Sequence, residues 1–490
     1  MKSTGADGPD LSTHRVPSIP EKSVVEKYGV EPIPAVERTG RWSDLFAILF
    51  TWNSSPLVLV IGALAVLVGG LSVWWAAIAV GLGALCGSFC LIIVARVGVD
   101  YGLPGQVAMR ATFGQWGARG LTSPYRIIAT CYWFAAQALA AAFGVRAIIL
   151  TLTGYDLQLV PSALAIAAIG AFLAAIGFDA LRYFVRVVLP LTLVAIVLLA
   201  VLFVTTSDPA WSTGSVLDSN EFAFTWLGFA TFFTAFWSGQ LTAVMSVADF
   251  CRYTRSRLDM AAGVVLGTTM ASFIAAWLGA YAAVAIGSNS PFAAATELTQ
   301  NTAALAFLLF VVLAQAISVN IMNVYNGGLS LVNTIPRMGR FLATIAVSLV
   351  AVVLSAFPGL IENAQEWFIH LGNVAAPIAG VVIVDYAILK RTRLDIVGLF
   401  DPSGRYRFLG GINPAALVAA GAGVAVYYAV PATWVEVVWG LGVAGVLYAL
   451  VALLQARIWP RMRDGIVPAE ADEAGREDPA SASWKPELTI

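Results

Sequence analysis

Polar side chains interrupt the apolar segments of this chain at four places, and their residue types could bind a small molecule or an ion. The first place is the run Phe50–Pro56, where Asn53 and two serines precede the proline. Because a proline removes a backbone hydrogen bond within a helix, the run predicts a broken helix whose free carbonyl groups line a cavity. The structural alternative is a kinked helix whose hydroxyl groups bond to their own backbone.

The second place is the pair Trp133 and Gln137, which lie four residues apart and so share one face of a helix. An indole ring can stack on a planar ligand while a carboxamide hydrogen-bonds to the edge of that ligand. Ordinary packing at a helix interface is the alternative. The pair therefore indicates a binding face without identifying what it binds.

The third place is the run Phe236–Thr242, in which the pair Ser238 and Gly239 permits a break in the middle of a helix. Asp249 follows near the predicted end of the same helix. A buried carboxylate can exchange a proton, so Asp249 is a candidate proton carrier. A structural ion pair with Arg252, three residues later, is the alternative.

The fourth place is the run Ser318–Gly328, which contains the amides Asn320, Asn323 and Asn326. Amide groups at membrane depth are costly unless polar partners or a ligand satisfy them. Asn320 and Asn323 can share a helix face, and Asn326 continues it. Ligand binding and hydrogen bonding between helices both remain open for this run.

Signals for catalysis are absent from the sequence. It contains two histidines, His14 and His370, and no HExxH, GxSxG or paired acidic metal-binding motif. No catalytic residue, metal site or cofactor is therefore predicted, and a membrane-embedded enzyme is kept only as an alternative. No Walker-type nucleotide-binding motif is present, so an ion gradient would have to drive any uphill transport.

The polar clusters lie within long apolar segments. Of the 490 residues, 59% are hydrophobic and 12% are charged, against roughly 25% charged residues in soluble proteins. Continuous apolar runs of roughly 18 or more residues predict transmembrane helices, whereas the strands of a membrane barrel would alternate in polarity. About twelve spans are predicted, at 45–69, 73–95, 124–152, 160–178, 184–206, 223–248, 260–287, 303–333, 340–358, 367–389, 412–430 and 433–456.

The distribution of Lys and Arg predicts the topology, because cytoplasmic loops collect positive charge. With the N-terminus inside, the predicted outer loops contain Asp and Glu but neither Lys nor Arg, and Arg146 stands apart in the outer half of the third span. We predict a multi-pass protein of the plasma (inner) membrane with cytoplasmic tails at 1–44 and 457–490. With a net charge of −1, the chain is not expected to bind nucleic acid, which needs a clustered basic surface. The expected surroundings of the protein are membrane lipid.

Four stretches between residues 28 and 456 carry the pattern of a known family. They are Tyr28–Pro34 with Arg38; Gly102–Pro104 with Arg110 and Phe113-Gly114; Tyr325–Leu331 with Asn333; and Pro377, Gly380, Asp385 and Tyr386. Together they resemble the nucleobase:cation symporter-1 family, in particular its purine-cytosine permease branch. The resemblance implies an all-α integral membrane fold with two inverted, LeuT-like five-helix repeats at 45–206 and 223–389, and two further helices at 412–456.

The resemblance also implies a substrate site between the first, third, sixth and eighth spans. The residues expected to contact the substrate are Trp133, Gln137, Asn53, Trp237, Gly239, Gln240, Asn320 and Asn326. Trp133 and Gln137 match the residues that stack on and hydrogen-bond to a flat heterocycle. Gln240 departs from the pattern, because the hydantoin transporter has a Trp after the matching glycine, so Trp237 or Phe236 is expected to supply the second aromatic face.

The coupling ion implied by the resemblance is H⁺ or Na⁺. Sodium-coupled members pair two hydroxyl side chains on the eighth span with carbonyl groups on the first, and the matching residues here are Ser318 and Val319. Because one hydroxyl group is missing, proton coupling through Asp249 is favoured, with Ser318 as the remaining candidate sodium ligand.

The activity implied is import of a nucleobase, most closely cytosine or a purine, with a cation by alternating access. Alternatives within the class are allantoin, hydantoin or a vitamin ring such as thiamine or pyridoxine. Outside the class of secondary transporters, the alternatives are a channel and a membrane-embedded enzyme. The expected partner is a small planar heterocycle, no cofactor is needed beyond the coupling ion, and a monomer is expected to suffice.

Overall fold

Helices dominate the fold, as expected for a chain that must satisfy its backbone hydrogen bonds within lipid. The computed structural model describes residues 30–174, 178–219 and 221–469, with the backbone alone for 178–184. Within these ranges the chain forms helices and isolated bridges, but no extended strand. Most of both predicted tails, residues 1–29 and 470–490, lies outside the described residues.

The helices follow one another along the chain with short connections. The first eleven are α1 Trp42–Asn53, α2 Pro56–Leu67, α3 Val73–Tyr101, α4 Gly105–Phe113, α5 Gln115–Gly117, α6 Ser123–Thr153, α7 Leu159–Ala174, α8 Phe178–Thr205, α9 Thr213–Leu217, α10 Trp226–Leu241 and α11 Val247–Cys251. The remaining ten are α12 Arg257–Ile286, α13 Pro291–Leu298, α14 Thr302–Thr334, α15 Gly339–Leu354, α16 Gly359–Glu362, α17 Ala364–Ile383, α18 Ile396–Phe400, α19 Pro414–Ala429, α20 Glu436–Ile458 and α21 Pro460–Arg463.

A helix lies at each predicted span. By length and apolar composition, 8 of the described helices can cross a membrane, and the bent pair α1 and α2 makes a ninth. The shorter apolar helices α7 and α19 lie at two further predicted spans, and α10 with α11 lies at the sixth. The prediction of an all-α membrane fold is confirmed, while the repeat boundaries at 45–206 and 223–389 stay a prediction.

Two of these spans are broken. The first span bends by 51° between α1 and α2. Pro56 is the first residue of α2, so the break lies where the proline in the sequence predicted it. The break in the sixth span was predicted at Ser238 and Gly239, but α10 continues to Leu241 and a 3-10 turn follows. The Thr242 hydroxyl donates to the Gly239 carbonyl at 2.7 Å, and such side-chain bonds compete with the helical ladder.

Small residues let the central helices approach closely, as in other membrane bundles. A Cβ atom on Gly279 of α12 would lie 1.9 Å from the Leu59 carbonyl oxygen of α2, and one on Gly62 would lie 2.4 Å from the Cα of Ala276. Neither glycine can be enlarged without separating α2 from α12. This contact holds the second half of the broken first span against the bundle.

The two ends of the bundle differ in charge. We name the end with the arginine-rich loops the basic end and the opposite end the acidic end. Exposed tryptophans occur near both ends, as is typical of membrane interfaces; they include Trp42, Trp116 and Trp459 at the basic end and Trp74, Trp75, Trp226, Trp434 and Trp439 at the acidic end. Arg146 lies at the acidic end, where its guanidinium pairs with Asp156 at 3.1 Å, so its isolated charge has a partner in the next loop.

Candidate functional site

A cavity lies where the broken first span meets α6, α10, α14 and α17. It has a volume of about 50 Å³, counted for the centres of water-sized molecules. Its walls consist of Trp52, Asn53, Ser55, Leu57, Val58, Trp133, Gln137, Phe236, Gly239, Gln240, Thr242, Ala243, Val319, Asn323 and Phe368. Among these described wall residues, none carries a charge. The cavity therefore combines aromatic and amide side chains in a neutral setting.

Aromatic rings form one side of the cavity. The rings of Trp133 and Phe368 meet edge to face, with centroids 4.5 Å apart. The Trp133 indole donates to the Thr242 hydroxyl at 3.2 Å, and this hydroxyl donates to the Gly239 carbonyl. The end of α10 thus fixes the orientation of the indole ring in the cavity wall.

The second aromatic face expected from Trp237 is not part of the cavity wall. Trp237 packs on Phe233 with ring centroids 5.5 Å apart, and it points toward Gly87 of α3. Phe236, the other candidate, does line the cavity, and its ring lies 6.2 Å from that of Phe368. The orientation of α10 about its own axis turns Phe236 toward the cavity and Trp237 away from it. The sequence alone left both residues as candidates.

Two of the amides in the cavity wall bind each other. The Gln240 side-chain amide donates to the side-chain oxygen Oδ1 of Asn53 at 2.6 Å, and the Asn53 side-chain nitrogen donates to the backbone carbonyl of Leu49 at 2.9 Å. This bond joins the end of α1 to α10 across the cavity. Gln240 therefore serves as a polar tie between the two broken spans, at the position where the family resemblance implied an aromatic ring.

Two further amides in the cavity wall have unused hydrogen-bonding atoms. The Gln137 nitrogen and both polar atoms of Asn323 have no partner among the described residues. Their side chains are almost completely buried, with 1% and 0% exposure. Because a buried polar group without a partner costs roughly 1–3 kcal/mol, these atoms are the natural contacts for a ligand.

Asn323 was not among the predicted substrate contacts, whereas Asn320 and Asn326 were. Asn320 packs on α7, where its Cβ lies 3.2 Å from the position of a Cβ on Gly170. Val319 and Asn323, four residues apart, form the α14 part of the cavity wall. The sequence does show that Asn323 lies four residues after Val319 and so shares a helix face with it. Which face of α14 meets the cavity depends on the packing of α14 against α7, and the sequence does not give that packing.

Asn326 and Asp249 lie together toward the basic end, below the cavity. With its amide oriented to suit both neighbours, Asn326 donates to Asp249 and accepts from Arg126, each at 3.2 Å. Asp249 also accepts from the backbone nitrogen of Gly105 at 2.7 Å. Arg126 donates to the Thr242 carbonyl at 3.3 Å, which joins this cluster to the cavity wall. The cluster brings together four separate parts of the chain.

Ser318, the candidate sodium ligand, is fully buried in α14. Its hydroxyl group donates to the Ala314 carbonyl of the same helix at 2.9 Å. The structure thus brings Trp133, Gln137, Asn53, Gly239 and Gln240 together around one cavity, and it places Trp237, Asn320, Asn326, Ser318 and Asp249 outside its wall.

Comparison with known proteins identifies the family. A family described as permeases for cytosine/purines, uracil, thiamine and allantoin matches residues 32–451. The chain belongs to this nucleobase:cation symporter-1 family. It is a multi-pass membrane transporter and not an enzyme, as the permeases among its relatives indicate.

Relatives within the nucleobase:cation symporter-1 family are distant but extensive. The hydantoin permease of Microbacterium maritypicum is 25% identical over 79% of this chain and 80% of its own length. The purine-uracil permease of Arabidopsis thaliana is 26% identical over 81% of this chain and 69% of its own length. The allantoin permease of Bacillus subtilis is 22% identical over 80% of this chain and 85% of its own length.

Solved structures confirm the LeuT-like fold expected for a member of the nucleobase:cation symporter-1 family. Mhp1 in a closed conformation with bound bromovinylhydantoin superimposes with a TM-score of 0.78 at 23% identity, over 93% of this chain and 99% of Mhp1. Its inward-facing conformation gives a TM-score of 0.74. A Na⁺-coupled sialic acid symporter, 14% identical, gives 0.58.

The Gly239→Ala substitution is expected to weaken substrate binding. A Cβ atom at this position would lie 2.8 Å from Phe368 and 3.5 Å from the Trp133 ring, so the aromatic wall would have to move. Overpacking of this kind costs about 1–3 kcal/mol. The half-saturating concentration for uptake measures the effect. Gly442→Ala in α20 is the matched control, because its Cβ would meet no atom within 4 Å; equal effects of both substitutions would contradict the placement of Gly239 in the site.

Proposed function

We propose that this protein imports a neutral, planar heterocycle of the nucleobase class together with a cation, by alternating access. The observation that carries the proposal is the uncharged cavity in which Trp133 lies beside the unpaired amides of Gln137 and Asn323. A stacked ring would meet the indole face, and its N–H and C=O groups would pair with the amides, each of which offers donors and an acceptor. We further propose the plasma membrane as the location, with the basic end in the cytoplasm.

The charge of the substrate follows from the cavity wall. Moving an ion from water into a buried site without a partner is very costly, and the described wall residues offer no counter-charge. Relatives are named for hydantoin, purine with uracil, and allantoin; of these, hydantoin, uracil and allantoin carry neighbouring N–H and C=O groups. Thiamine, which also appears in the family description, carries a permanent positive charge and therefore ranks low.

The size of the cavity favours a single ring. A water-sized sphere occupies about 10–15 Å³, and the cavity offers about 50 Å³ to the centres of such spheres, so it holds a small cluster of waters. A pyrimidine displaces about this much water, whereas a purine needs the wall to move. We therefore rank cytosine and uracil above the purines as substrates, with hydantoin and allantoin as alternatives.

Uptake of radiolabelled cytosine into permease-deficient cells tests the proposal. Unlabelled uracil, hypoxanthine, hydantoin, allantoin and thiamine serve as competitors. The proposal predicts saturable accumulation that neutral single rings suppress and thiamine does not. If thiamine competes as well as cytosine, the neutral-substrate proposal is wrong. If no ring is taken up or competes despite surface expression, the substrate class is wrong.

A further inference from the structure

The break between α1 and α2 is the place where a driving cation would be expected. In secondary transporters, carbonyl groups at unwound helix ends commonly hold the coupled ion near the middle of the membrane. Here the break bends the first span by 51° and contains Ser54 and Ser55. Whether the surrounding residues suit Na⁺ depends on how many oxygen atoms converge on this break.

A hydrogen-bond donor already occupies the break. The Gln315 side-chain nitrogen of α14 donates to the Ser54 carbonyl oxygen at 3.1 Å and lies 3.4 Å from the Ser54 hydroxyl oxygen. Gln315 is 2% exposed, so this bond is shielded from water. A cation at the same carbonyl group would meet the amide N–H groups, which repel positive charge, unless the amide reversed.

Side-chain oxygen atoms beside Gln315 offer few ligands to a cation. The Ser318 hydroxyl donates to its own helix, and Val319 follows where a second hydroxyl group would be needed. The void beside Gln315 is lined by Ser54, Thr192 and otherwise apolar residues, and no carboxylate lies among its described walls. The void beside Gln315 therefore does not fit Na⁺, which needs several oxygen ligands.

The same void suits one water molecule. It offers about 10 Å³ to the centres of water-sized molecules, which is room enough for a buried water. Two buried polar atoms, the Gln315 carbonyl oxygen and the Thr192 hydroxyl, have no partner among the described residues, and both residues line this void. A water between them would satisfy both atoms.

We propose that the Gln315 amide and one buried water take the place of a sodium ion at the break of the first span, so that the transporter works without Na⁺. Gln315 acts as a positioning residue: its nitrogen satisfies the Ser54 carbonyl, and its oxygen bonds to the water shared with Thr192. This inference deepens the proposed cation-coupled transport by removing Na⁺ from the candidate ions. It does not depend on which heterocycle is carried.

Thermal stability of the purified protein tests the proposal without any substrate. A ligand that binds the folded state raises the melting temperature with the logarithm of its concentration. We expect equal melting temperatures in Na⁺, K⁺ and N-methyl-glucamine salts of the same ionic strength. A sodium-specific increase that grows with concentration would overturn the proposal, because it would mean that the amide reverses to present its oxygen to a bound ion.

The Gln315→Glu variant gives a second, positive test. A carboxylate that is ionised at alkaline pH beside the Ser54 carbonyl needs a cation, because otherwise it would take up a proton. The melting temperature of this variant is therefore expected to become sodium-dependent at alkaline pH. Gln365→Glu is the matched control, since Gln365 is also buried, at 8% exposure, and lies outside the walls of this void. If Gln315→Glu folds and remains insensitive to sodium, Gln315 does not face the break as proposed. If it fails to fold, the comparison on the natural protein decides.

Transport provides an independent readout. Replacing Na⁺ by K⁺ outside the cells is expected to leave cytosine uptake unchanged, and loss of uptake on this replacement would overturn the inference. If no heterocycle is taken up in either salt, the proposed function fails, while the melting temperatures still decide the sodium question.

Discussion

Replacement of Gln137 by alanine is expected to weaken substrate binding by roughly 5- to 150-fold, equivalent to about 1–3 kcal/mol. The Gln137 nitrogen faces the cavity without a partner among the described residues, so its hydrogen bond is available only to the substrate. Without it, a polar group on the bound ring is left unpaired in a buried site. Competition binding to the purified protein measures the loss directly, and the half-saturating concentration for uptake should rise in parallel.

Two asparagines of α14 give the matched controls. Asn323→Ala is expected to weaken binding to a similar degree, because Asn323 also presents unpaired atoms to the cavity. Asn320→Ala is expected to leave binding unchanged, because Asn320 packs against Gly170 of α7 outside the cavity. The opposite pattern, with Asn320 essential and Asn323 dispensable, would mean that the substrate binds on the α7 side of α14, and it would contradict binding in this cavity.

Replacement of Asp385 by alanine is expected to remove most of the folded protein. This carboxylate forms an ion pair with the buried Lys390 and accepts hydrogen bonds from the Tyr448 hydroxyl at 2.6 Å and the Thr112 hydroxyl at 2.7 Å. It thereby joins α4 and α20 to the π-helical turn Val384–Leu389 that follows α17. Removing one partner of a buried ion pair costs about 3–5 kcal/mol, because the other charge is left uncompensated. The yield of monodisperse protein and its melting temperature measure the effect.

A double substitution separates a structural role of Asp385 from a role in transport. Asp385→Asn combined with Lys390→Met removes both charges, and it is expected to recover part of the lost stability because buried ion pairs can often be replaced by neutral groups. Transport should return with the folded protein. A single Asp385→Ala variant that is as stable as the natural protein but cannot transport would contradict the structural role.

The loop helix α4 carries part of the family pattern and packs against other helices outside the cavity. Arg110 donates through its guanidinium to the Asn333 amide oxygen at 2.9 Å. Burial lowers the pKa of Arg110 to about 9, so it remains charged at neutral pH. Both residues belong to stretches that carried the family resemblance, and the structure gives them a role in packing α4 against the end of α14.

Local signals in the sequence predicted the parts of the site that depend on one segment. Pro56 predicted the broken first span, because proline removes a helical hydrogen bond wherever it lies. The four-residue spacing of Trp133 and Gln137 predicted that they would face one cavity together. The sequence did not predict a partner for Arg146, whose ion pair with Asp156 is found only in the structure.

Features that depend on contacts between distant segments could not be predicted. The Ser238 hydroxyl bonds to the Tyr427 hydroxyl of α19 at 2.7 Å, and α10 continues as a helix past the predicted break. The partners of Asp249 at Gly105 and Asn326 come from distant parts of the chain. The hydrogen bond from the Gln315 side-chain nitrogen to the Ser54 carbonyl likewise joins α14 to the first span. Neither local sequence predicts this hydrogen bond.

Counterflow in proteoliposomes tests the central claim most directly, because it needs no knowledge of the coupling ion. Liposomes that contain the purified protein are preloaded with unlabelled cytosine and diluted into a trace of labelled cytosine. We expect a transient accumulation of label inside the liposomes that requires the preload and that the Gln137→Ala substitution strongly reduces. Entry of label that is independent of the preload would indicate a channel, and absence of entry for cytosine, uracil and hydantoin alike would contradict the proposal that this cavity carries neutral heterocycles.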